Sequence, residues 1–137
     1  MKSFLIVEDS PPLIKYCHLL INARFKDALV TCVHNGREAL KKAREREYSV
    51  ILSDIEMPVM DGIEFYKELK KESPLLAKRI AFMSSSNISS HFECITKEEL
   101  PFLHKPFNPH DFHALIDKVL TCNEHETMGK QHANSLG

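Results

Sequence analysis

Short apolar runs alternate along this chain with longer stretches of helical period. Phe4-Leu5-Ile6-Val7 is apolar at every position, as in a strand covered on both faces, and Glu8-Asp9 end it at once. Ser10 then stands as a helix N-cap with Pro11 in the first helical position, and Leu13, Cys17, Leu20 and Ile21 fall on one face. Ala28 to Val33 predicts a second strand, and Asn35-Gly36 turns the chain into a helix that sends Ala39, Leu40 and Ala43 inward. Val50-Ile51-Leu52 predicts a central third strand, which ends at Ser53-Asp54. After Met57-Pro58 and Asp61-Gly62 comes a helix with Ile63, Phe65, Tyr66 and Leu69 among its packing positions. Ile80 to Met83 predicts a fourth strand running into Ser84-Ser85-Ser86. The periodicity is weakest from Ile88 to Leu100, where Ile88, Phe92 and Ile95 outline one short amphipathic helix. Phe102 to His104 gives a fifth strand. Asn108 as N-cap, Pro109 in the first turn and Asp111 three residues after the cap then open a helix burying Phe112, Leu115, Ile116 and Val119.

Strand followed by helix, repeated in series, predicts an α/β fold with a doubly wound parallel sheet, because parallel neighbours need crossover helices. Pro101, just before the last strand, suits an edge, where a missing N–H is tolerated. A length of 137 residues is that of one domain, here residues 1–120. The remainder, 121–137, has little to bury and reads as a polar, flexible tail, too short for an effector domain; it favours a natural short chain over an excised piece.

Bulk properties remove several function classes. A net charge of −1 gives no electrostatic pull toward nucleic acid or anionic membrane. No segment approaches the roughly 18 apolar residues of a membrane span, and the first apolar run is too short for a signal peptide, so the cytoplasm is the expected location. Cys17, Cys32, Cys94 and Cys122 are scattered without metal-ligand spacing and read as small hydrophobes. Asn87-Ile88-Ser89 is a formal glycosylation acceptor, without meaning where no export signal precedes it. His110 and His113 lie at a helix start and read as solvated residues.

The polar residues of chemical interest gather at the carboxyl ends of the predicted strands, where open parallel sheets bind ligands. Glu8 and Asp9 follow the first strand, Asp54 ends the third, Ser84 ends the fourth and Lys105 follows the fifth. Taken singly, each has an ordinary explanation: an acidic pair as a helix cap, an Asp as a turn former, a serine run as loop, a lysine as solvated. Their joint occurrence points elsewhere. Three carboxylates in one crevice raise one another's pKa unless a cation joins them, and Mg²⁺ commonly uses carboxylates, water and a phosphate oxygen. A lysine and a hydroxyl beside them supply charge neutralisation and a hydrogen-bond donor for a transferring phosphoryl group. Asp54 thus reads as a nucleophile that forms an acyl phosphate.

The chain resembles the receiver domain of two-component response regulators from about Lys2 to Leu120, in the free-standing chemotaxis-type form. The resemblance rests on Ile6-Val7-Glu8-Asp9-Ser10, on Ser53-Asp54-Ile55-Glu56-Met57-Pro58-Val59-Met60-Asp61-Gly62, on Ala81-Phe82-Met83-Ser84-Ser85 and on Phe102-Leu103-His104-Lys105-Pro106-Phe107. It implies a flavodoxin-like five-stranded sheet of order 2-1-3-4-5. It implies Asp54 as phosphoacceptor, Asp9 binding Mg²⁺ directly, Glu8 mainly through water and Glu56 through its backbone carbonyl. Ser84 would reach the phosphoryl group, Lys105 would pair with another of its oxygens, and Lys105-Pro106 would be a cis peptide. Phe102 falls on the aromatic switch position. The implied partners are a sensor histidine kinase or histidine phosphotransfer protein, and an output protein or second copy docking on the face from about Ile88 to Leu120. No histidine here sits in a phosphodonor helix, so the donor is another protein. The chain departs from the family where glycine usually closes the fourth helix, since Lys97-Glu98-Glu99-Leu100 runs into Pro101.

Other classes fit less well. An aspartyl-phosphate phosphatase needs a second aspartate two residues after the nucleophile; Glu56 holds that place, but Pro58 interrupts the D-x-D-x-[TV] run. A flavin carrier would follow the first strand with a Ser/Thr/Gly-rich phosphate loop, not Glu8-Asp9. A phosphate sink is a further role for the same acceptor chemistry. Beyond its own phosphorylation and dephosphorylation, no catalysis is expected.

Overall fold

Neighbouring apolar residues on each strand part company by parity, one set to each face of the sheet. The computed structural model describes residues 1–85 and 92–136, with side chains for 1–85 and 95–122. Its strands are β1 (Ser3–Val7), β2 (Leu29–Val33), β3 (Val50–Asp54), β4 (Ile80–Ser84) and β5 (Phe102–His104). All pairings are parallel, in the order β2-β1-β3-β4-β5. Phe4, Ile6, Val50, Leu52, Ala81 and Met83 face one helical layer, and Leu5, Val7, Ile51, Ile80 and Phe82 face the other. Every residue of β3 and β4 is buried, as apolar runs covered on both faces require.

The helices are α1 (Pro11–Arg24), α2 (Gly36–Glu45), α3 (Gly62–Glu72), α4 (Pro74–Ala77), α5 (Phe92–Lys97) and α6 (Pro109–Leu136). The first cluster packs against α1 and α6 through Cys17, Leu20, Ile21, Phe112, Leu115, Ile116 and Val119. The second packs against α2 to α5 through Ala39, Leu40, Ile63, Phe65, Leu69, Leu76 and Ile95. Helix starts are set by side-chain caps. Asn35 accepts from the Glu38 N–H at 2.9 Å, Asn108 from the Asp111 N–H at 2.7 Å, and Asp61 and Glu64 form a reciprocal capping box. Ser10 precedes α1 without such a bond, leaving Pro11 and Pro12 to fix the entry.

Three differences from the sequence reading have physical causes. The single turn α4 is too short to show a period. In the predicted helix over 88–100 the described part is α5, which stops at Lys97; Ile88 and the Asn87-Ile88-Ser89 triplet lie outside the described residues. The backbone of 121–136 continues α6 rather than leaving it at residue 120, although Val119 and Leu120 are the last described side chains to join the core. No helix among the described residues is long and apolar enough to cross a membrane.

Candidate functional site

Strand order reverses between β1 and β3, and the crevice outside their carboxyl ends is where such a sheet accepts a ligand. Glu8 extends β1 by one rung, its N–H donating to the Val33 carbonyl at 3.0 Å, and the residue is buried at 1 % exposure. Asp9, next along the pleat, is exposed, and its N–H donates to Glu8 Oε2 at 3.1 Å. Asp54 ends β3 and is buried. One carboxylate oxygen from each of Glu8, Asp9 and Asp54 lies within 4.8 Å of the others, a hard-oxygen donor set suited to a small divalent cation.

Lys105, just past the edge strand β5, closes this group. Its N–H donates to the Ser84 carbonyl at 2.8 Å, prolonging the β4–β5 ladder past β5, and the Lys105–Pro106 peptide is cis. Its Nζ lies 2.5 Å from Glu8 Oε1 and 3.3 Å from Asp54 Oδ1. Burial pushes Glu8 up to about 7; the hydrogen bond from Lys105 works against this, and the charge of Asp54 adds to it. Burial opposes the charge on Lys105, yet Glu8 and Asp54 outweigh it and its pKa rises. The two partners thus move in the same direction, because desolvation outweighs the attraction at Glu8 alone.

Four of the residues singled out in sequence, Glu8, Asp9, Asp54 and Lys105, therefore meet in one place. Ser84 ends the neighbouring strand and is buried. Glu56 is exposed, and its carboxylate does not belong to the acidic group of Glu8, Asp9 and Asp54. Phe102 is half-buried against the α2–α5 core and pairs in register with Phe82.

The loop from Ile55 to Asp61 is clamped to the strand beside it. The Gly62 N–H donates to the Ile55 carbonyl at 2.8 Å, and a Cβ at Gly62 would stand 2.3 Å from the Asp54 carbonyl oxygen, so only glycine lets α3 start so close to the site. Two residues before Gly62 the Met60 carbonyl accepts from the Gly36 N–H at 3.0 Å. One supporting group went unrecognised in sequence. Tyr16 of α1 stacks on Phe107 at 5.8 Å, Phe107 on Phe112 at 5.7 Å, and the Tyr16 hydroxyl donates to the Phe107 carbonyl at 3.3 Å. This ladder braces the loop that carries Lys105. Its only sequence signal is Phe107 directly after Lys105-Pro106, since Tyr16 lies 91 residues away.

Comparison with known proteins agrees with this geometry. The family model of the response regulator receiver domain matches residues 4–117. A two-component response regulator of rice (Oryza sativa subsp. indica) is 35% identical over 104 residues, covering 74% of this chain and 69% of its own. A protein-glutamate methylesterase/protein-glutamine glutaminase of Bacillus licheniformis is 30% identical over 135 residues; the alignment covers 93% of this chain but 37% of that one. The chain thus spans about a third of the methylesterase's length. Among solved structures, the chemotaxis response regulator CheY4 of Vibrio cholerae superposes with a TM-score of 0.75 at 29% identity, covering 88% of this chain and 99% of its own. A CheY-like receiver domain protein of Methanospirillum hungatei shares the fold, with a TM-score of 0.81 at 22% identity and coverage of 92% and 98%. With three carboxylates and a lysine at the switch point of a 2-1-3-4-5 sheet, and a family match across nearly the whole described core, this chain belongs to the response regulator receiver domain family of two-component phosphorelay systems.

Proposed function

We propose that Asp54 accepts a phosphoryl group from a phosphohistidine on a histidine kinase or phosphotransfer protein, and that the acyl phosphate alters the surface offered to an output protein. The observation that carries this is the lysine ammonium bridging Asp54 and Glu8 inside a cluster of three carboxylates. In the transfer, an Asp54 carboxylate oxygen forms the new P–O bond as the P–N bond of the donor breaks. The imidazole leaves with the bonding pair and, protonated at one nitrogen, departs neutral. Glu8, Asp9 and Asp54, with the Glu56 carbonyl, would hold Mg²⁺, which supplies charge neutralisation between acceptor and phosphoryl oxygens. Lys105, already beside Asp54, turns its ammonium to a phosphoryl oxygen, and the Ser84 hydroxyl donates to another. Catalysis is confined to the chain's own phosphorylation and dephosphorylation; the esterase activity named for the longer relatives is not carried over.

Incubation with acetyl phosphate and Mg²⁺ should add one phosphoryl group, labile to base, and Asp54→Asn should abolish the addition in an intact-mass measurement. Equal labelling of the Asn variant would place the acceptor elsewhere.

A further inference from the structure

Lys105 stands where the sheet has run out. The strand before it has three residues, and its N–H, donating to the Ser84 carbonyl at 2.8 Å, prolongs the ladder by one bond. Pro106 then has no N–H to offer and is exposed, and the exposed Asn108 spends its side chain on capping α6. Phe107 is the residue that returns this loop to the body of the protein. Its ring stacks on Phe112, which is wholly buried, and on Tyr16 of α1. The Tyr16 hydroxyl also donates to the Phe107 carbonyl at 3.3 Å, so a single side chain holds both the ring and the backbone of Phe107. Tyr16 is itself set against the α1–α6 core, on the helix that starts two residues after Asp9. The brace thus runs from the element leaving the acidic pair to the loop that carries the lysine.

We propose that Tyr16 is a positioning residue for phosphoryl transfer: by gripping Phe107 it keeps the Lys105 ammonium at Asp54, where a phosphoryl oxygen would meet it. The inference deepens the phosphoacceptor reading above and rests on it. A lysine ammonium rides on a flexible four-carbon stem, so its place is defined only as well as the backbone beneath it. Held by the Ser84 bond alone, that backbone could pivot, and Nζ would leave its place 3.3 Å from Asp54 Oδ1. A donor fixed in advance where negative charge gathers needs no reorganisation during the reaction. Misplacement by about 1 Å can cost roughly a hundredfold in rate. Tyr16 acts through Lys105 and needs no contact with the reacting atoms.

The test is a double-mutant cycle in labelling by acetyl phosphate and Mg²⁺, followed by intact mass. Tyr16→Leu, which removes ring and hydroxyl, should slow labelling of Asp54 roughly tenfold. Tyr16→Phe, which keeps the stack, should slow it about threefold, as loss of one hydrogen bond requires. In a Lys105→Met background neither change at Tyr16 should slow labelling further, because residues that act as a unit are not additive. Should Tyr16→Leu fail to fold, the cycle is read with Tyr16→Phe. A second measurement needs neither metal nor phosphoryl donor. With N-hydroxysuccinimidyl acetate in EDTA, wild-type Lys105, its side chain 15% exposed, should acetylate more slowly than the exposed Lys41. In Tyr16→Leu, Lys105 should react several-fold faster while Lys41 is unchanged. Equal slowing of phosphoryl labelling with and without the lysine would overturn the inference, and so would a Lys105 no more reactive in the variant. Failure of acetyl phosphate to label wild type at Asp54 would instead remove the phosphoacceptor reading beneath it.

Discussion

At Glu8 two effects oppose each other: burial disfavours the charged carboxylate, and the Lys105 ammonium 2.5 Å away favours it. Burial prevails and lifts the pKa from 4.5 to about 7. The folded protein then holds a proton that the unfolded chain has already released between those two values. By linkage, this group's contribution to stability falls as pH rises across that interval and is flat above it. Thermal unfolding in EDTA should accordingly show a melting temperature that declines from about pH 5 to about pH 7, and Glu8→Gln should flatten that decline. Saturating Mg²⁺ at pH 8 should raise the wild-type value, since a ligand bound only by the native state contributes about 2.7 kcal/mol at a hundred times its dissociation constant. A profile indifferent to both changes would show that Glu8 is not desolvated. The acidic pair Glu8-Asp9 was legible in sequence, but which of the two is buried was not. Adjacent residues past a strand end point to opposite sides, and only the pairing of Glu8 with Val33 decides which one is buried.

Among the elements, α5 shows how a chain compensates for a missing glycine. The Leu100 N–H donates to the Ile95 carbonyl at 3.0 Å and the Glu99 N–H to the Thr96 carbonyl at 3.2 Å, with Glu99 at φ 54°: a Schellman motif with glutamate in the left-handed position. Ile95 and Leu100 make the accompanying apolar contact within the α2–α5 core. The end is held further by Glu98, which accepts from Lys70 Nζ at 2.9 Å and from the Tyr66 hydroxyl at 3.4 Å. A left-handed L-residue costs about 1–2 kcal/mol, part of which glycine returns as unfolded-state entropy. Glu99→Gly should therefore stabilise the fold by about 1 kcal/mol in chemical denaturation, without a change in the denaturant slope; a loss of stability would mean that the Glu99 side chain has a role of its own. The sequence showed that no glycine closed this helix, and from that absence the end of α5 could not be placed. Tertiary contacts from Tyr66 and Lys70, about 30 residues away in sequence, decide it. The five strands, α1, α2, α3 and the part of α6 up to residue 120 were legible because their apolar periods are long enough to read, whereas the polar continuation of α6 carries no such period. The four-residue α4 was not.

For the molecule as a whole, the proposed function requires coupling between Asp54 and the face formed by α5, β5 and α6. The route is short: β4 ends at Ser84 beside the site, Phe82 lies two residues back on the same strand, and Phe82 pairs with Phe102 on β5. Tyr66 stands edge-on to Phe82 at 6.1 Å and its hydroxyl donates to Glu98 at 3.4 Å, contacts that would carry a shift of β4 to the end of α5. Phe102 is half-buried already, and without a hydroxyl its inward movement desolvates no polar group. Beryllofluoride with Mg²⁺ should shift amide resonances around Phe102 and α5 as well as at the metal site, and Ser84→Ala should confine the shifts to the site. Confinement already in the wild type would refute this route. The sheet is also unequal in its resistance to opening. Asp54 ends the central strand, buried along its whole length, whereas β2 is partly exposed at the edge and β5 has only three residues. Amide deuterium uptake should therefore be slowest in β3 and β4, through openings near the cost of global unfolding, and faster at β2 and β5 through local fluctuations. The carboxylate proposed as acceptor is thus mounted on the strand expected to open last, so solvent would reach an acyl phosphate there through the mouth of the site and not by breathing of the strand that bears it.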